Sequence, residues 1–211
     1  MSEDKKTGSK TLLWSIIFSS PGPLCVGIGF IIGRSTTQLA DFVRRTAELL
    51  AIIMSFVVFR IIAKDPNCDA EKKDKLESRS NRFVGVMMCL AGVIMAMLAL
   101  FVSNAEKGNV LPGLVIAISS CITNIIFWVK YNRLHRVDNN TIMAVQARLY
   151  RAKTMVDSSV IVALSAMLIA PSSIVAFLFD FIGSMLVAIY LIWCGARTIY
   201  EERNVVAEEN L

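Results

Sequence analysis

Four stretches of this chain are apolar for long enough to cross a lipid bilayer as helices: 11–33, 83–103, 110–129 and 160–200. A helical crossing needs about 20 mainly apolar residues, each adding about 1.5 Å, so the last stretch suffices for two. A fifth, 39–63, is apolar from Leu49 onward but holds Asp41, Arg44, Arg45 and Glu48 in its first half. Ala170-Pro171-Ser172-Ser173 divides the longest run, because proline and serine favour a turn. Six crossings follow, over 11–33, 38–63, 80–103, 110–134, 144–169 and 172–200. Composition agrees: 55% of the 211 residues are hydrophobic and 18% charged, with a mean hydropathy of +0.58. A soluble domain is about a quarter charged, with its apolar residues interspersed. The pattern excludes a disordered chain, a disulfide scaffold and an ordinary soluble enzyme. The runs are continuous rather than alternating, which excludes an outer-membrane barrel. The expectation is an all-α membrane protein: a segment 1–10, a six-helix domain 11–200 and a tail 201–211.

Loop charges orient such a bundle. The connection 64–82 holds Lys64, Lys72, Lys73, Lys75, Arg79 and Arg82, and the connection 130–153 holds Lys130, Arg133, Arg136, Arg148, Arg151 and Lys153. Only Arg34 and Lys107 lie on the other side, so both termini are expected in the cytoplasm. Lys5, Lys6 and Lys10 precede a run too long for the apolar core of a cleaved signal peptide, and no small-x-small site closes it. Asn139-Asn140-Thr141 has the form of a glycosylation sequon but falls on the cytoplasmic side, where it is inert. The protein is expected in the plasma (inner) membrane, with the lipid bilayer as its surroundings and no nucleic-acid partner.

Few residues offer chemistry. Cys25, Cys89, Cys121 and Cys194 sit in apolar runs and Cys68 in a loop, with no C-x-x-C, so packing is their expected role. Met87, Met88, Met95 and Met97 fit a lipid-facing or core surface better than a soft-metal path. His135 is the single histidine, and no zinc-binding histidine pair exists. No nucleophile–base pair is present either, so no enzyme and no resident cofactor are expected.

The second crossing is the informative one. Asp41, Arg44, Arg45 and Glu48 fall along one stripe of a helix. Asp41 can pair with Arg45, and Arg44 with Glu48, both at i,i+4. Ionisable groups in a membrane cost several kcal/mol each unless paired or hydrated. Either these four build a polar cavity or ion-pair network, or the outer ones snorkel to headgroups. In the fifth crossing Arg151, Lys153 and Asp157 precede a clean apolar run. Asp157 can pair locally, cap the helix or face the second crossing. Ser119, Ser120, Thr123 and Asn124 form a polar patch on the fourth, the kind that bonds across helices. Pro21-Gly22-Pro23 is expected to kink or unwind the first, because proline removes a backbone donor and clashes with the preceding turn.

The order of these features resembles the transmembrane part of the cation diffusion facilitators, over about residues 24–200. Gly33-Arg34-Ser35-Thr36-Thr37-Gln38-Leu39-Ala40-Asp41 is similar to the family's Gly-Ser-x-x-Leu-x-Ala opening of the second helix. Lys75-Leu76-Glu77 resembles its Gly-Lys-x-Glu before the third. Ser159, then Asp180, Gly183, Ser184 and Tyr190, resemble the fifth and closing helices. The resemblance implies a six-helix bundle, proton-coupled export of a divalent metal by alternating access, and a homodimer. Small residues of the third crossing (Gly85, Ala91, Gly92, Ala96) allow close helix packing, within one chain or between two.

The implied metal site departs from the family pattern. That pattern has two ligands four apart on the second helix and His-x-x-x-Asp on the fifth. The matching positions here are Arg44 and Glu48, then either Arg151 and Met155 or, shifted by two, Lys153 and Asp157. The family's histidine-rich loop has no counterpart in this sequence, and no cytoplasmic metal-binding domain is expected, only the tail 201–211. Tetrahedral zinc needs about four ligands, and a fixed arginine cation repels a metal. Three readings stay open. One is a divergent exporter of divalent cations using Glu48 with Asp157 or Asp41. Another is a carrier of an anion or zwitterion held by Arg44 and Arg151. The third is a non-transporting scaffold in which an Arg44–Glu48 pair replaces the metal.

Overall fold

The computed structural model describes residues 3–33, 36–65, 69–101, 110–138, 140–169 and 174–208. They form seven helices: α1 (Glu3–Ser19), α2 (Pro21–Gly33), α3 (Thr36–Lys64), α4 (Ala70–Phe101), α5 (Val110–Asp138), α6 (Thr141–Ile169) and α7 (Ile174–Glu208). No strand occurs among the described residues. Five segments are long and apolar enough to cross a membrane: Thr7–Ile28, Phe42–Lys64, Glu71–Phe101, Leu114–Val137 and Phe181–Glu202. α6 makes the sixth crossing. Its 29 residues reach about 43 Å, and it packs between α5 and α7.

The first crossing is broken. Ser20 N donates to Ile16 O at 2.9 Å and ends α1. α2 then begins on Pro21, whose missing N–H costs nothing at a first helical position. The break therefore precedes Pro21-Gly22-Pro23 by one residue. A Cβ on Gly22 would lie 3.4 Å from Arg45 Nη1, so the break sits against the second crossing.

Helices outrun the apolar segments at the basic end. α4 starts at Ala70 rather than near residue 80, because Lys75–Glu71 and Lys73–Glu77 support its first turns at i,i+4. Buried Glu77 reaches the next connection, accepting from Thr141 Oγ1 at 2.6 Å and Asn140 Nδ2 at 3.3 Å. Asn140 in turn caps α6, its Oδ1 accepting from Met143 N at 3.3 Å. Asn81 donates to Glu202 at 2.8 Å, and Gly8 lies against Phe59 and Met143. The start of α1 and the end of α7 are thus on one side of the bundle, as six crossings require.

The core is apolar with an aromatic seam. Phe127, Tyr131 and Tyr150 are buried with ring centroids 5.3 to 6.2 Å apart. Ser15 bonds the Tyr131 hydroxyl at 2.7 Å, which satisfies that buried group. Met88 and Met95 belong to this core, whereas Met97 faces outward. Gly85 and Gly92 of α4 face α7, so those glycines serve packing inside the chain.

Candidate functional site

Arg44 and Glu48 stand one turn apart on α3, both buried, with Arg44 Nη1 3.2 Å from Glu48 Oε1. Helical spacing dictates that pair. A second cation comes from α6: Lys153 Nζ lies 3.7 Å from Glu48 Oε2. Lys153 also reaches Ser19 Oγ at 3.4 Å, at the break in the first crossing, and lies 4.9 Å from the Tyr150 ring centroid. The other carboxylate, Asp157, is one turn further along α6. Ser120 Oγ donates to Asp157 Oδ2 at 2.8 Å and Asn124 Nδ2 at 2.7 Å. Asp157 is close enough to Lys153 and Glu48 to feel both charges.

Among these four described residues the charges balance: cations Arg44 and Lys153, carboxylates Glu48 and Asp157. Within a bilayer that balance removes most of the cost of ionised groups. The register Lys153–Asp157 on α6 meets Glu48; the register Arg151–Met155 does not. Arg151 turns toward α7, its guanidinium 5.5 Å from the Tyr190 ring centroid. Met155 is 45% exposed, on the face opposite Lys153. The side chain of Asp41 lies outside the described residues, as does that of Asp180. Ser120 and Asn124 bond across helices, whereas Ser119 and Thr123 bond back to their own helix carbonyls.

Spacing within one helix could not reveal that Lys153 answers Glu48, or that Asp157 is held by α5. Ser19 and Tyr150 also escape a motif search, since neither belongs to a charged pattern. The local oxygen donors are the two carboxylates and the Ser120 hydroxyl. Among the described residues no group of three or more His, Cys, Asp and Glu side chains converges on one point. Such oxygen donors suit a hard cation, in contrast to the nitrogen and sulfur ligands that favour zinc or copper(I).

Six crossings around a charged centre, shared by the second, fourth and fifth of them, define a multi-pass membrane protein of the transporter class. The profile described as the cation efflux transmembrane domain matches residues 13–205. The chain belongs to that family, the cation diffusion facilitators, which are cation transporters rather than enzymes. A comparison with curated proteins returns no match.

Proposed function

We propose that the protein exports a hard divalent cation by proton-coupled antiport with alternating access, and that Glu48 and Asp157 receive the ion. One observation carries this reading: Lys153 Nζ of α6 lies 3.7 Å from Glu48 Oε2 of α3, one helical turn from the Asp157 carboxylate. Lys153 and the transported cation compete for the same oxygen atoms. Arrival of the ion displaces the ammonium from these oxygens, and a proton moving the other way completes the antiport. The broken first crossing lies beside Lys153 through Ser19, where unwound backbone can adjust as the site changes side. In the plasma membrane this exchange would lower the internal level of the ion. Pairing into a homodimer belongs to the same proposal and rests on the family alone.

The test is flux in proteoliposomes under an imposed pH gradient. Manganese(II) is expected to move and zinc(II) to move poorly. Asn124→Leu removes a hydrogen bond to Asp157 and is expected to weaken apparent affinity about tenfold, as loss of a supporting partner does. Glu48→Gln and Asp157→Asn are each expected to abolish movement. Wild-type rates in both would end the assignment of the site.

Glu48 lies against both Arg44 and Lys153, and this favours a second reading, a membrane scaffold whose ion cluster is purely structural. The same vesicles decide, because a scaffold moves no cation at any gradient while remaining folded.

A further inference from the structure

A second charged feature lies on the far side of α6. α5 and α7 each pack against α6, and the groove between them is floored by the small side chains of Ala144 and Ala147. It encloses a pocket of about 300 Å³, at the lower end of the range for small-ligand clefts, which start at about 300 Å³. Its walls hold Trp128 and His135 from α5, Arg148 and Arg151 from α6, and Trp193 and Arg197 from α7. This face of α6 is not the face that presents Lys153 and Asp157 to α3 and α5, so the pocket is separate from the transport centre.

Its chemistry favours an anion. Arg148, Arg151 and Arg197 bring three guanidinium groups, and Glu201 pairs with two of them. Glu201 is held by Arg148 Nη1 at 2.6 Å and by Arg197 Nε at 2.7 Å, so an oxyanion already sits on two of the arginines. Arg151 has no carboxylate among the described residues, and its buried Nε makes no hydrogen bond. Arginine forks match phosphate geometry. Trp128 and Trp193 line the pocket, and indoles are the side chains that gather at a membrane–water interface. From Trp193 an unbroken stripe of Ile189, Leu186 and Ile182 runs toward the bilayer centre, 59%, 63% and 47% exposed respectively. Basic head site and apolar stripe are continuous.

We propose that this pocket holds the phosphate of an anionic phospholipid headgroup, whose acyl chains lie along the exposed face of α7. Arg151 takes the phosphate directly, and Arg148 and Arg197 share it with Glu201. A free phosphate would satisfy the arginines but would have no use for the stripe beyond Trp193.

Detergent-purified protein mixed with phosphatidylglycerol or phosphatidylcholine, and read by native mass spectrometry, tests the assignment. Phosphatidylglycerol is expected to be retained in preference to phosphatidylcholine. Arg148→Gln with Arg151→Gln should weaken that retention about tenfold or more, the order that two basic residues contribute at an anionic surface. Lys64→Gln with Arg79→Gln removes the same charge from exposed positions at the same end and should leave retention unchanged. Glu201→Gln should strengthen it, because two arginines lose their competing carboxylate; a merely structural role for the cluster predicts the reverse. Equal weakening by both double variants, or weaker binding in Glu201→Gln, overturns the proposal. So does saturation by inorganic phosphate with no preference between the two lipids.

Discussion

Replacing Glu48 with glutamine is expected to destabilise the bundle more than removing either of its cationic neighbours. The reason is the asymmetry of the cluster. Glu48 is the acceptor for both Arg44, at 3.2 Å, and Lys153, at 3.7 Å. Without its charge, Arg44 and Lys153 both lose their acceptor at Glu48, and the neighbouring Asp157 is already committed to Ser120 and Asn124. Breaking a buried pair by removing one partner costs about 3 to 5 kcal/mol. Arg44→Gln, by contrast, leaves Glu48 with Lys153, and its cost should fall nearer 1.5 to 3 kcal/mol, roughly the value of losing one charged hydrogen bond. Adding Lys153→Met to Glu48→Gln should recover part of the loss, with a coupling of about 0.5 to 3 kcal/mol, as expected for side chains in contact. Helix content followed through a detergent-to-SDS titration measures each difference. A Glu48→Gln protein within about 0.5 kcal/mol of wild type, the range of an inert surface change, would show that these charges are hydrated rather than paired. The double variant also separates folding from transport, since it should regain stability while remaining unable to move a cation.

The same cluster shows what a one-dimensional reading reaches. Six crossings were legible because apolar length alone sets them. Arg44–Glu48 was legible because four residues make one helical turn. Lys153 was harder: it competed with Arg151 for the same family position, and only the rotation of α6 against α3 decides between them. That rotation is a property of packed side chains, not of spacing along α6. Asp157 could pair locally, cap its helix or face the second crossing, and its hydrogen bonds come from Ser120 and Asn124 on α5. The polar patch on α5 had been visible without its target. Helix ends were legible only where apolarity stops at the membrane. At the basic end α4 continues through charged residues that pair with one another, so its start lies ten residues earlier than hydropathy suggests. Arg45 and the Pro21-Gly22-Pro23 break were each conspicuous, but their proximity was not.

Valine or leucine at Gly195 is expected to prevent the accumulation of folded protein. The spacing of Gly85 and Gly92 marked one smooth face of α4 without saying what meets it. α7 does, and it contributes a glycine of its own. A Cβ on Gly195 would come within 2.6 Å of Gly85 O and 2.9 Å of Cys89 N. One on Gly92 would lie 2.9 Å from Ala188 O and 3.1 Å from Ile192 N. These neighbours are backbone atoms of a facing helix and cannot rotate away, so the helices must separate along their length. Without a hydrophobic force between helices in lipid, close packing is most of what holds such a seam. Overpacking of a filled core costs about 1 to 3 kcal/mol for small additions, so Gly195→Ala should lower stability by that amount and Gly195→Leu by more than the fold can bear. Gly27→Ala is the contrasting case: its Cβ would meet the Phe42 ring, a side chain that can shift. Size-exclusion profiles of the three variants in one detergent should rank them Gly27→Ala, Gly195→Ala, Gly195→Leu in falling yield of monodisperse protein. The α4–α7 seam would then be a fixed frame, against which α3 and α6 carry the charged centre. A Gly195→Leu protein of normal yield and normal flux would mean that α4 and α7 do not approach so closely in the membrane.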